Sequence, residues 1–161
     1  MDENADISNG PDNARVAIFP PLLLVICIGL GLLARGLWQL QAIAFLPAVV
    51  LATLCAISGL LLDRWAQREL RRAATAVHPA QPTTAIVTTG PFAVSRNPIY
   101  LGQGLLLLAV GFAARDMSYF LACIPWYLMM RYGVMAREEQ YLTARFGKAY
   151  EEYMARVRRW F

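Results

Sequence analysis

Apolar positions in this chain gather into long unbroken runs instead of a stripe along one face of each element. Four runs approach the roughly 20 mostly apolar residues that a membrane-crossing helix needs. They cover about Ile18 to Leu37, Ile43 to Leu62, Pro98 to Ala114 and Met117 to Ala136. The pattern predicts an all-α fold, an integral membrane bundle of four transmembrane helices. Pro20-Pro21 suit the first turn of the first helix, and Pro125 predicts a kink in the fourth. Only Arg115-Asp116 separate the last two runs, which requires a tight helical hairpin.

The polar stretches between these runs carry their own signals. Asp63 to about Ala76 reads as an Arg-rich continuation of the second helix, with Arg68, Arg71 and Arg72 at headgroup level. A loop from His78 to Asn97 follows, punctuated by Pro79, Pro82, Gly90 and Pro91. Beyond Arg137 the chain predicts more helix, broken at Gly147. After the break, Tyr150, Tyr153, Val157 and Trp160 recur at helical spacing, as in an amphipathic helix lying on the membrane or closing over a cytosolic site. Ala44, Ala48, Ala52 and Ala56 form a small-residue stripe suited to close helix approach, within the chain or in an oligomer. Residues 1–14 read as a disordered polar tail, 15–76 as the first two spans with their charged extension, and 77–161 as a separate functional region.

Composition sharpens this picture. Of 161 residues, 58% are hydrophobic and 16% charged, against about 45–50% and about 25% in soluble domains. That balance excludes a disordered chain and argues against an ordinary soluble one. With the N-terminus inside, 12 of the 15 Lys and Arg residues fall on the cytosolic side. Arg35 and Arg115 fall outside and Arg131 lies within the fourth run. The positive-inside rule therefore predicts a multi-pass protein with both termini cytosolic. The net charge of +4 is spent on these loops, and no nucleic-acid partner is expected. The leader carries Asp2, Glu3, Asp6 and Asp12, unlike the basic leader of a signal peptide. Cys27, Cys55 and Cys123 sit inside apolar runs and read as small hydrophobes, so no metal site is expected.

Candidate chemistry clusters at the cytosolic ends of the third and fourth runs. Asn97 is a good N-cap and Pro98 suits the first helical position. Free amides at that helix start, together with Arg96, make an anion site; the plainer alternative is a helix start beside a snorkelling arginine. Gly102 and Gly104 permit close approach by a ligand or, more commonly, another helix. Gln103 is polar within the bilayer and needs a partner. Glu138-Glu139 follow the fourth run and either pair with Arg131, Arg137 or Arg145 or hold a cationic ligand. Arg131 lies about two turns before Glu138 on the same face, and an intramembrane arginine is a functional candidate or a snorkelling one. A hairpin brings the anion site and the acidic pair together, and a zwitterionic, amino-acid-like ligand with one extra positive charge fits between them.

The same residues carry a family resemblance. Thr89-Gly90-Pro91-Phe92 followed by Ser95-Arg96-Asn97-Pro98-Ile99-Tyr100-Leu101-Gly102 resembles the cofactor-binding signature of the isoprenylcysteine carboxyl methyltransferase and phospholipid methyltransferase superfamily. Arg137-Glu138-Glu139-Gln140-Tyr141-Leu142, then Phe146-Gly147-Lys148-Ala149-Tyr150-Glu151-Glu152-Tyr153 and Val157-Arg158-Arg159-Trp160, is similar to its C-terminal segment. The resemblance implies S-adenosylmethionine as methyl donor and a lipid or other hydrophobic acceptor entering from the membrane. It implies cofactor binding by Arg96, Asn97, Pro98, Tyr100, Gly102, Gly104, Glu138 and Glu139. In that setting Arg131 is a candidate for orienting an anionic acceptor, and Glu139 or Tyr100 for assisting proton loss. The family often has histidine where this chain has Asn97, which cannot titrate near neutrality. His78 lies outside both motifs and reads as a loop residue. A membrane reductase of the sterol-reductase type using NADPH, and a non-enzymatic scaffold, are the alternatives.

Overall fold

The computed structural model describes residues 13–38, 43–78 and 81–160. The acidic leader and Pro79 lie outside them. The described residues are all-α: α1 (Pro20–Trp38), α2 (Phe45–Arg72), α3 (Pro98–Ala114), α4 (Met117–Leu128), α5 (Ala136–Phe146) and α6 (Lys148–Arg156), with a 3₁₀ turn at Gly90–Ala93. A π-helical turn, Met129–Met135, joins α4 to α5, so Met117 to Phe146 runs as one interrupted rod. α2 packs mainly on α3, α3 on α4, and α4 on α1.

α1 and α2 are long and apolar enough to cross a membrane, and only 17% and 11% of their most apolar windows are buried. Core helices of a soluble protein would be covered. Val25, Leu32, Leu33 and Leu37 on α1, and Leu46, Leu54, Ile57 and Leu61 on α2, are exposed instead. Apolar surface of that extent marks contact with another apolar phase, and the chain is membrane-associated. The expected four spans are met only in part. α3 has 17 residues, and the fourth run divides into 12 α-helical and 7 π-helical residues. Pro125 has no N–H to donate, which weakens the ladder of α4, and the π turn begins four residues further on.

The hairpin forms as expected. Arg115 takes a left-handed conformation (φ 56°) as the C-cap of α3, and Asp116 caps α4 by accepting from the Ser118 amide at 2.9 Å. The Arg115 guanidinium donates to the Ile43 carbonyl at 2.9 Å, tying the turn to the residues before α2. The alanine stripe is used within the chain at its centre: Ala48 is buried. The same helix closes on α3 at Gly59, where an added Cβ would lie 2.8 Å from the Gly102 carbonyl oxygen.

The N-terminal end of the described chain is more than a tail. Ala14 is buried. The Ala17 amide donates to the Gly133 carbonyl at 3.0 Å, inside the π turn, and the Arg137 guanidinium donates to the Arg15 carbonyl at 2.9 Å. Residues 1–12 of the expected polar tail lie outside the described residues. The backbone of the widened π turn is what these contacts hold.

Candidate functional site

At the end of the bundle where α2 stops and α3 starts, the chain forms a half-open cavity of about 130 Å³. Ala14 from the N-terminal segment and four further pieces of chain build it. The end of α2 and the following turn give Leu70, Val77 and His78. The loop gives Ile86, Val87 and Phe92. The start of α3 gives Arg96, Asn97, Pro98 and Tyr100, and α5 with α6 gives Glu138, Tyr141, Tyr150 and Tyr153. Apolar walls with a few convergent polar groups are the usual make-up of a small-molecule site.

The electropositive part centres on Arg96. Its Nη2 pairs with Glu139 at 3.1 Å, while Nε and Nη1 are buried with no hydrogen-bond partner. A buried donor left unmade costs about 1–3 kcal/mol, so these two groups ask for an acceptor. Pro98 has no N–H, and the next amides of α3 have no partner within the helix. Asn97 occupies the N-cap position but does not cap with its side chain. Its amide donates to the Arg159 carbonyl at 3.1 Å, a contact between distant parts of the chain that overrides the local cap.

The acidic pair divides in two. Glu138 faces the cavity and accepts a 2.5 Å hydrogen bond from the Tyr100 hydroxyl. Burial lifts its carboxyl to about 7, against the opposing pull of the Tyr100 bond and helped by the neighbouring Glu139 charge. Glu139 stands behind the wall, accepting from Arg159 Nε at 2.9 Å and Nη2 at 2.5 Å as well as pairing with Arg96. Those hydrogen bonds hold the Arg159 guanidinium above its usual range. Neither arginine was among the partners expected from sequence.

α6 closes over the cavity. Tyr150 and Tyr153 are buried, and the Tyr153 hydroxyl donates to the Phe92 carbonyl at 2.7 Å. Burial pushes the Tyr153 phenol up to about 12, with Arg96 pulling the other way. Burial, then the Glu139 charge, raises Tyr150 further. After α6 the chain runs back along the loop. The Arg96 amide donates to the Arg158 carbonyl at 3.0 Å, and the Ser95 hydroxyl to the Arg159 carbonyl at 3.2 Å. Residues 157–160 thus form a strap, pinned by backbone pairing and by the Arg159–Glu139 contact.

Arg96, Asn97, Pro98, Tyr100 and Glu138 therefore share one cavity. Glu139 does not line it, and neither do Gly102, Gly104 or Arg131. Gly102 meets α2, and an added Cβ at Gly104 would lie 3.0 Å from the Trp126 ring, so helix packing is the use found for both glycines. Arg131 lies outside, bonded to the Tyr127 hydroxyl at 3.0 Å. His78, read from the sequence as a loop residue, lines the cavity and stacks on Phe19 with ring centroids 4.6 Å apart. Tyr141, quoted in the C-terminal motif but given no site role, also lines it, and its hydroxyl accepts from the Thr83 amide at 3.1 Å. Tyr141 lies within the C-terminal motif and His78 outside both motifs, and only proximity in the fold places either of them at the cavity. No group of metal-ligating side chains occurs among the described residues.

A membrane-associated helical bundle with a charged, tyrosine-lined cavity at one end is the class that fold and site define. Within it, residues 47–149 match the family model described as phospholipid methyltransferase. The chain belongs to that family. Comparison with curated proteins and with solved structures finds no match.

Proposed function

We propose that the protein is a membrane-embedded methyltransferase that takes its methyl group from S-adenosylmethionine and passes it to a lipid or other hydrophobic acceptor. Bound S-adenosylmethionine supplies a methyl group activated by a sulfonium. The observation that carries the reading is the pairing, in one cavity, of the unpartnered Arg96 donors with the Glu138 carboxyl. The residues present fit the donor's charges. Arg96 Nε and Nη1 and the first amides of α3 receive its carboxylate. Glu138 holds its cationic part, and the tyrosine rings add cation–π attraction. Ile86, Val87, Phe92 and Leu142 offer apolar surface for the nucleoside. α6 and the strap exclude water, which strengthens each of these contacts.

Positioning supplies most of the rate in a displacement of this type. Glu138, bonded to Tyr100, is the cavity carboxyl able to accept a proton from an acceptor that must lose one. Glu139 acts behind it, by setting the position of Arg96. Four spans, with α3 and the α4–π rod completing the bundle and the cavity on the cytosolic side, agree with the distribution of basic residues. The reductase alternative is disfavoured by the family match and by a cavity wall in which Arg96 is the one Arg or Lys, few for a ligand with several phosphates.

Binding of S-adenosylhomocysteine to detergent-purified protein tests the reading. Saturable binding, stabilising the protein where NADPH does not, is the expected result. Absence of saturable binding by protein with intact helical circular dichroism would overturn it.

A further inference from the structure

Arg131, on the rod that runs from Met117 to Phe146, does not line the cavity. Arg131 sits in the π turn. Its Nη1 donates to the Tyr127 hydroxyl at 3.0 Å, and its guanidinium carbon lies 5.5 Å from the centroid of the Tyr132 ring. Among the described residues no carboxylate lies within ion-pair distance of it. Glu139 is already shared between Arg96 and Arg159, and the Arg131 charge acts on Arg159. The surroundings are apolar and open: Leu128 and Met129 are exposed, and Tyr132 is 65% exposed.

Two further observations converge on this patch. The Tyr127 ring stacks on Trp160 of the strap, centroids 5.9 Å apart, and the Trp160 indole Nε1 is a buried donor with no partner. Arg131 also lies seven residues before Glu138, about 10 Å along the rod from the cavity carboxyl. That places an unneutralised guanidinium, with phenol and indole groups beside it, at the depth where chain-facing apolar surface gives way to the charged end of the bundle. Aromatic and arginine side chains together at such a boundary match a lipid headgroup, with the cation taking the phosphate and the rings lying along the glycerol and upper acyl region.

We propose that Arg131, with Tyr127 and the strap residue Trp160, forms a binding site for the phosphate of an anionic membrane lipid, outside the cavity and next to the strap. This rests on the membrane-embedded reading above. A soluble anion is a poorer match, because the exposed Leu128, Met129 and Tyr132 around the guanidinium offer contact to acyl chains.

Thermal unfolding in detergent tests the proposal, with added phosphatidylglycerol, phosphatidylcholine or inorganic phosphate as probes. Phosphatidylglycerol is expected to raise Tm by about 2–4 °C over phosphatidylcholine. The rise should vanish in Arg131→Gln, persist in Arg131→Lys, and persist in Arg64→Gln, which changes an exposed arginine of α2. An equal response in wild type and Arg131→Gln overturns the site, as does a wild type indifferent to phosphatidylglycerol. An equal response to inorganic phosphate overturns the lipid. Stabilisation by S-adenosylhomocysteine, measured on the same samples, should be unchanged in Arg131→Gln, so failure of the lipid site and failure of the methyltransferase reading are separate results.

Discussion

The Tyr100 hydroxyl and the Glu138 carboxylate meet at 2.5 Å across the seam between α3 and α5. The contact joins the start of α3 to the helix that follows the π turn. It also fixes which of two adjacent glutamates faces the cavity.

Glu138 makes the empty cavity pH-sensitive. Its carboxyl is raised from 4.5 to about 7, so between those values the folded state holds more of the proton than the unfolded chain. Stability of the ligand-free protein therefore falls as pH rises from about 4.5 to about 7, then levels off. The ammonium of a bound amino-acid ligand needs the carboxylate, so its affinity should climb with pH through about 7, by at most tenfold per unit. Glu138→Gln should flatten both profiles. Thermal unfolding and S-adenosylhomocysteine titration at pH 5.5, 6.5 and 7.5 check the signs; an unaltered slope in Glu138→Gln would reject the assignment.

Arg96 should act on affinity more than on fold. Two of its donors are unpartnered, and hydrogen bonds to charged groups contribute about 1.5–3 kcal/mol. Arg96→Gln is expected to weaken S-adenosylhomocysteine binding by roughly 10- to 100-fold. Arg96→Lys should recover only part of this, since lysine lacks the fork that serves Glu139 and a ligand together. Isothermal titration of the two variants measures the difference.

Much of this fold was legible in the sequence because its signals are local. α3 begins at Pro98 and ends at Ala114 as read, since proline suits a first turn and Arg115-Asp116 leave room only for a hairpin. The exposed apolar faces of α1 and α2 follow from composition. The rest depended on contacts between distant residues. Nothing near Asn97 shows that its amide reaches Arg159, and nothing near Glu139 shows that Arg96 and Arg159 converge on it. The π turn was hidden because a proline predicts a weakened ladder without saying how the ladder re-forms. The aliphatic wall, Leu70, Ile86 and Val87, belongs to no motif.

The close approach of α2 and α3 predicts a sharp contrast among glycines. At Gly102 an added Cβ would sit 2.8 Å from the Gly59 carbonyl oxygen, which is backbone and cannot swing away. Gly102→Ala should force the helices apart and cost about 1–3 kcal/mol, the range for overpacking. Gly29 has open space around its Cβ position, and Gly29→Ala should be neutral or slightly stabilising. Thermal unfolding of both variants in one detergent checks this; equal behaviour would mean that the two helices pack without glycine contact.

Glu139 and Arg159 close the strap, and their role is separable from ligand contact. Arg159→Gln leaves Glu139 with Arg96 alone and frees the side-chain anchor of residues 157–160, while the Ser95 hydroxyl bond to the Arg159 carbonyl and the Arg96–Arg158 backbone pairing stay. The strap should then open more often. Arg156 and Arg158 are exposed on either side of Val157, so trypsin should cut there several-fold faster in Arg159→Gln than in wild type. Glu139→Gln should do the same and also loosen Arg96, lowering S-adenosylhomocysteine affinity; Glu151→Gln, on the exposed side of α6, should alter neither. Mass spectrometry of the fragments over time gives the rates. Unchanged cleavage in both Arg159→Gln and Glu139→Gln would mean that the backbone pairing alone holds the strap and that Glu139 serves only to position Arg96.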